Sequence, residues 1–274
     1  MAIHILGNGP ISIELGRELK NSFTTQIYSD LNPEVEGELQ TIPYSSFLKT
    51  SISAKDIFIL AWRGFPTENK DRLGVLDYLK SNLRPENLFI NISSVSVYGE
   101  APTAATEKTL PMPINEYGRS KLKLEKYSEI NFRSKVCQLR VSNVFGDIKF
   151  TDVINQLIKA GEASIQISLM APDIIERDYI SIFDVVSLIR QLTIMGGDLA
   201  HHEVFNLSSN ESISLSKLVT VIEEVRRLKV DILVKKLSKG VIEKSRISNQ
   251  KVVDFLSIES PNHEKYLKDY VASF

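Results

Sequence analysis

Tyr117 and Lys121, in the run Asn115-Glu-Tyr-Gly-Arg-Ser-Lys121, carry the clearest chemical potential in this chain of 274 residues. Of its nine tyrosines, Tyr117 alone has a lysine four places later. On a helix that interval puts both side chains on one face, about a turn apart. A free phenol, with a pKa near ~10, is a feeble base at neutral pH. A neighbouring ammonium favours the phenolate and equips the tyrosine for acid or base work. A solvated helix face would show the same pair with no chemistry attached. Ser94, in Asn91-Ile-Ser-Ser94-Val-Ser-Val-Tyr-Gly99, ends an apolar run. A serine at the carboxyl end of a strand could hydrogen-bond the oxygen that Tyr117 protonates or deprotonates, or simply form a turn.

A second constellation lies at the start. Gly7-Asn-Gly9-Pro-Ile-Ser12 follows one apolar run and opens a helical one, the context a dinucleotide fingerprint requires. Gly7 would allow the tight turn, and Gly9 the approach of a pyrophosphate to the positive helix end. Ser12 stands where a third glycine is expected. Asp30 follows at about the interval of an acid that grips a ribose. Its carboxylate would accept from a 2′-hydroxyl and repel a 2′-phosphate, favouring NAD and leaving NADP as the alternative. Asp30 equally suits the start of the turn Ser29-Asp-Leu-Asn-Pro33.

Short apolar strands alternating with amphipathic helices must position these residues. The strands predicted are Ile3–Leu6, Thr25–Tyr28, Asp56–Ala61, Asn87–Ile92 and Val136–Arg140. Ile11, Leu15 and Leu19, then Leu73, Leu76 and Leu79, give helical periodicity between them. The alternation predicts an α/β fold with a parallel sheet covered on both faces. From Lys149 to Glu176 we expect one helix (Val153, Ile154, Leu157, Ile158) and then an irregular connection through Pro172. Arg177–Ile182 reads as a strand, Asp184–Ile194 as a helix and Val204–Leu207 as a further strand. Ser214 suits the N-cap of a helix burying Leu215, Leu218, Ile222 and Val225.

Composition narrows the function. With 43% hydrophobic residues, 24% charged and a net charge of −1, the chain lacks the basic excess of a nucleic-acid or anionic-membrane binder. The single cysteine, Cys137, excludes an internal disulfide, and no His or Cys cluster has metal-ligand spacing. No apolar run reaches the ~20 residues of a bilayer span, and no secretion leader opens the chain. A cytoplasmic protein is expected.

Ser93-Ser-Val-Ser-Val-Tyr-Gly99, Tyr117-Gly-Arg-Ser-Lys121, Leu139-Arg-Val-Ser-Asn-Val-Phe-Gly146, Arg177-Asp-Tyr-Ile-Ser-Ile-Phe-Asp184 and Val204-Phe-Asn-Leu-Ser-Ser209 occur in that order. Together they resemble the extended short-chain dehydrogenase/reductases, specifically the NAD-dependent epimerase/dehydratase group acting on nucleotide sugars. The resemblance implies a Rossmann-type doubly wound parallel sheet with a small C-terminal substrate-binding lobe. Residues 1–146, with 178–204 returning, would form the dinucleotide-binding domain, and 147–177 with 205–274 the smaller lobe. It further implies that Tyr117 is the acid/base and that Lys121 lowers its pKa while holding the nicotinamide ribose. Ser94 would orient the reacting oxygen, Ala61 would line the cofactor, and Asn143 and Arg177 would contact the substrate's nucleotide and diphosphate. A guanidinium fork suits phosphate oxygens on its own account, although a salt bridge to Asp178 or Asp184 would also explain Arg177. Relatives dimerise through the helix of the catalytic tyrosine and its neighbour. Leu122, Leu124 and Tyr127 could serve that surface, or could face the sheet.

The chain departs from the group's pattern at the glycine turn, which is one residue short and ends in Ser12. Trp62 stands where a small residue is usual, Asp71 where asparagine is frequent, and the C-terminal part is brief for an epimerase. Dehydratases of the group carry an Asp-Glu pair after the catalytic hydroxyl residue, whereas Val95 and Ser96 follow Ser94. Elimination of water is therefore not expected. Reduction of a nucleotide-linked 4-keto-6-deoxy sugar is the first reading, 4-epimerisation the second, and non-enzymatic nucleotide sensing the third.

Overall fold

A computed structural model describes residues 1–30, 35–36, 39–147 and 151–274. The elements run β1 (Ala2–Leu6), α1 (Pro10–Leu19), β2 (Thr24–Ser29), β3 (Val35–Glu36), β4 (Leu39–Pro43), α2 (Tyr44–Phe47), β5 (Ile57–Leu60), α3 (Lys70–Asn82) and β6 (Leu88–Ser94). Then come β7 (Ala101–Ala105), α4 (Glu116–Asn131), β8 (Lys135–Val141), β9 (Asn143–Phe145), α5 (Val153–Ala163), β10 (Ile167–Met170), β11 (Glu176–Ser181) and α6 (Ile182–Ile194). The last are β12 (His202–Leu207), β13 (Ser212–Ser214), α7 (Leu215–Arg226), β14 (Ile232–Lys235), β15 (Lys244–Ile247), α8 (Gln250–Leu256) and α9 (His263–Ser273).

The main sheet has the order β12-β8-β6-β5-β1-β2-β4-β3. β1 pairs in parallel with β2 on one side and β5 on the other, and the chain reverses direction across the sheet there. In an open α/β sheet such a reversal leaves a crevice outside the carboxyl ends of the strands. Strands β5 and β6 are buried at every position, which is why β5 and the start of β6 read as continuous apolar runs rather than alternating ones. This is the doubly wound α/β architecture expected.

The chain divides into two compact units. The first comprises Met1–Ser94, Arg119–Arg140 and Val186–Phe205, and the second Val95–Gly118, Val141–Val185 and Asn206–Phe274. Leu6, Phe47, Phe58, Val75, Leu79 and Phe89 lie in the core of the first. In the second, Ile154, Ile158, Leu218, Ile222 and Val271 pack together. Residues 95–118 group with the second unit because β7 pairs with β15, and β15 with β11. The stretch expected to be irregular contains β10, paired with β14. Lys149 and Leu31–Pro33 lie outside the described residues. Among the described residues, no helix is long and apolar enough to cross a membrane.

Candidate active site

In the first unit, three neighbouring strands bring the nucleotide-end residues to one edge. Leu6 is level with Tyr28 on β2 and Leu60 on β5, so Gly7, Asp30 and Ala61 follow at the same end of the sheet. Gly7 has φ +128°, and a Cβ there would lie 2.8 Å from the Ala61 carbonyl oxygen, so only glycine fits. Its N–H donates to the Tyr28 oxygen at 2.8 Å. Gly9 is the N-cap of α1 with Pro10 at the first helical position, and a Cβ on Gly9 would meet nothing within 4 Å. The amino end of α1 therefore opens onto free space that an anion can approach. Ser12 is fully buried and its hydroxyl has no hydrogen-bond partner, so small size is what this position uses. Turn, open helix end and acid together fit a dinucleotide.

Asp30 is tied down as well as placed. Asn69 Nδ2 donates to its Oδ2 at 2.8 Å, and Arg72 Nη2 donates to its Oδ1 at 3.1 Å. Arg72 Nε lies 3.0 Å from Oδ2, an ion-pair contact without hydrogen-bond geometry, so one hydrogen bond and charge join the two side chains. Burial alone would raise the Asp30 pKa, but the Arg72 and Asn69 contacts outweigh it and hold the group below its ordinary value. Asn69 also caps α3, its Oδ1 accepting from Arg72 N at 3.0 Å. The Arg72 guanidinium sits 5.4 Å from the Trp62 ring centre, and Trp62 Nε1 donates to Tyr44 Oη at 2.7 Å. Trp62 is buried, and Asp71 is exposed beside the cap.

Ser94 is the last residue of β6 and is 8% exposed. Lys121 is buried on α4, with Nζ donating to the Trp62 oxygen at 2.5 Å and the Ile92 oxygen at 2.7 Å. Burial lowers its pKa to about 8; Glu125 opposes that shift and Arg63 adds to it. One turn on, Glu125 receives a forked pair from Arg140, with Nε at 3.1 Å and Nη2 at 2.8 Å, and the Ser93 hydroxyl at 2.5 Å. This buried network between α4, β6 and β8 did not emerge from the sequence. The only cue was a set of charged and polar residues within otherwise apolar stretches. Leu124 and Tyr127 pack into the first unit's core.

Tyr117, Asn143 and Arg177 belong to the second unit. Tyr117 is 43% exposed in the first turn of α4, a continuous helix that also carries Lys121. Gly118 lies close against neighbouring backbone in that turn. A Cβ there would collide with the Ser96 carbonyl oxygen and lie 2.9 Å from Pro113 Cβ. Asn143 is exposed and donates from Nδ2 to the Asp178 carbonyl oxygen at 2.9 Å. Arg177 makes neither of the salt bridges weighed from the sequence. Its Nη1 donates to the Glu176 and Glu243 oxygens at 2.8 and 3.2 Å, and its Nη2 to the Ile242 oxygen at 2.5 Å. Asp178 instead accepts from Ser209 N and Oγ at 3.0 and 3.1 Å and from Glu211 N at 3.1 Å.

The sequence model of the NAD dependent epimerase/dehydratase family matches residues 70–208. A dTDP-4-dehydro-6-deoxyglucose reductase of Escherichia coli is 32% identical over 147 residues, covering 50% of this chain and 45% of that protein. The chain matches about half the length of its curated relatives, a Bacillus subtilis protein named as an uncharacterized UDP-glucose epimerase included. Among solved structures, MoeE5 in complex with UDP-glucose and NAD superposes with TM-score 0.82 at 18% identity, covering 100% of this chain and 98% of that one. UDP-glucose 4-epimerase of Thermus thermophilus in complex with NAD gives 0.81 at 16% identity, with 99% and 98% covered. The family match spans half of the chain and runs from α3 through α4 to the end of β12, and on it the protein belongs to the NAD dependent epimerase/dehydratase family.

Proposed function

We propose that this protein is an NAD(P)H-dependent reductase of a nucleotide-linked 4-keto-6-deoxy sugar. One observation carries the reading: α4 presents an exposed Tyr117 phenol one turn before the buried Lys121 ammonium. Gly7, Gly9, Ser12, Asp30 and Ala61 would hold the dinucleotide, with Tyr117 and Lys121 at its ribose. The bound dinucleotide supplies hydride to the sugar carbonyl carbon. Tyr117 gives its proton to the oxygen that gains charge, and Ser94 donates a hydrogen bond to the same oxygen. Lys121, held by two backbone carbonyls, would lend positive charge to the phenol. Asn143 and Arg177 would bind the nucleotide and diphosphate, which requires the Arg177 guanidinium to share or leave its carbonyl partners. Val95 is buried where a dehydratase would need an acid.

The E. coli reductase supports reduction, and the solved complexes support NAD and a nucleotide sugar as ligands. Epimerisation is the second reading, favoured by the UDP-glucose 4-epimerase structures and by Asp30 as an NAD-type acid. The test supplies purified protein with NADH or NADPH and a 4-keto-6-deoxy nucleotide sugar. Stoichiometric oxidation of the dinucleotide is expected. Interconversion of sugars by tightly held NAD, with none consumed, would establish the epimerase instead. Tyr117→Phe should lower kcat by on the order of 10²-fold or more, the scale of general acid catalysis, with little change in dinucleotide Kd. An unchanged rate removes Tyr117 from the mechanism.

A further inference from the structure

Asp30 was expected to reject a 2′-phosphate by charge, yet in the folded chain it does not stand alone. Its carboxylate is ion-paired and hydrogen-bonded by Arg72 and hydrogen-bonded by Asn69, both brought to it by the start of α3. The pair is partly accessible: the Arg72 side chain is 27% exposed and that of Asp30 15%. Arg72 is fixed from three directions. Its own N–H is capped by Asn69, its guanidinium faces the Trp62 ring, and its Nη2 donates to Asp30.

We propose that Arg72 sets the choice between NADH and NADPH, so that Asp30 and Arg72 together admit both. This rests on the dinucleotide reading above. The physical case is one of charge and valence. A carboxylate offers about four lone-pair sites, and the two hydrogen bonds from Asn69 and Arg72 leave capacity for a ribose 2′-hydroxyl. The guanidinium cancels the charge that would otherwise repel a 2′-phosphate. Its planar fork also suits a phosphate as well as it suits Asp30. With a 2′-hydroxyl present, Arg72 stays on Asp30. With a 2′-phosphate present, the arginine divides its donors between carboxylate and phosphate, and Asn69 keeps Asp30 in place.

The sequence has a single tryptophan, Trp62, whose ring adjoins the Arg72 guanidinium, so its fluorescence reports occupancy of this site without turnover. Titrating the full chain with NADH, NADPH, 5′-AMP and 2′,5′-ADP, checked by calorimetry, should give similar affinities for the two reduced dinucleotides. 2′,5′-ADP should bind more tightly than 5′-AMP, and the advantage should shrink with added salt. Arg72→Met should lower the NADPH-to-NADH affinity ratio by about tenfold to a hundredfold, the loss of a charge-assisted contact. Arg72→Lys should fall between. Should Arg72→Met fold poorly, Asp30→Asn provides the reciprocal test, raising the ratio by freeing the guanidinium. A ratio unmoved by both substitutions, or a wild type that binds NADH and ignores NADPH, overturns the inference while leaving the dinucleotide reading intact. Failure of the wild type to bind either dinucleotide overturns both.

Discussion

Arg177 and Asp178 are consecutive, but strand alternation sends them to different partners: the guanidinium to three carbonyls, the carboxylate to the Ser209 and Glu211 amides and a hydroxyl. Burial of Asp178 raises its pKa to about 7, against 3.8 for the free group, because the Ser209 and Glu211 bonds only partly offset desolvation. Below pH ~4 both folded and unfolded chains hold this proton. Between about 4 and about 7 the unfolded chain has lost it and the folded chain keeps it, so rising pH favours unfolding. Urea titrations across that window should show stability falling with pH, and the difference between wild type and Asp178→Asn should isolate the slope. A parallel pair of curves would contradict it. At this scale the sequence was most legible where helix and turn geometry impose spacing, as for Tyr117 with Lys121 on α4 or Gly7 with Gly9 before α1. Asn69 could have been found as a cap before the Leu73, Leu76, Leu79 periodicity. Arg72, Glu125 and Arg140 had no spacing to betray them, since their partners come from other elements.

Elements were legible in proportion to their burial. β1, β5, β6 and β8 are buried throughout or nearly so, and their bounds fall within two residues of those predicted. The strands that were missed, among them β7, β10, β14 and β15, are short and mostly part-exposed. They exist through pairings distant in sequence, such as Ala101 with Ser245, which no local pattern encodes. Helix α7 shows the opposite case, where one residue marks the boundary. Ser214 Oγ accepts from Lys217 N at 3.1 Å, and Leu218 and Ile222 are fully buried one and two turns on. Ser214→Ala should cost ~1 kcal/mol in unfolding free energy, the usual worth of an N-cap. A loss nearer to zero would mean that packing alone sets the helix start.

At the scale of the whole molecule, the chain passes back and forth between its two units, and each is assembled from three separate stretches. The first unit is incomplete until Val186–Phe205 supply most of α6 and most of β12, the strand beside β8. A polypeptide ending at residue 140 would leave that edge of β8 unpaired. It should give native-like far-ultraviolet dichroism at most, without the dispersed amide resonances of a packed core. Dispersed resonances from that fragment would show that the first unit folds without its last stretch.

Gly118 bears on how loss of function would be recognised in variants of this protein. It follows Tyr117, the proton donor we propose, and its hydrogen rather than a methyl faces the Ser96 oxygen. An alanine there would raise helix propensity and preserve every reactive group, yet it would push the first turn of α4 off its seat. Genome surveys that score only the tyrosine and the lysine would count such an allele as healthy.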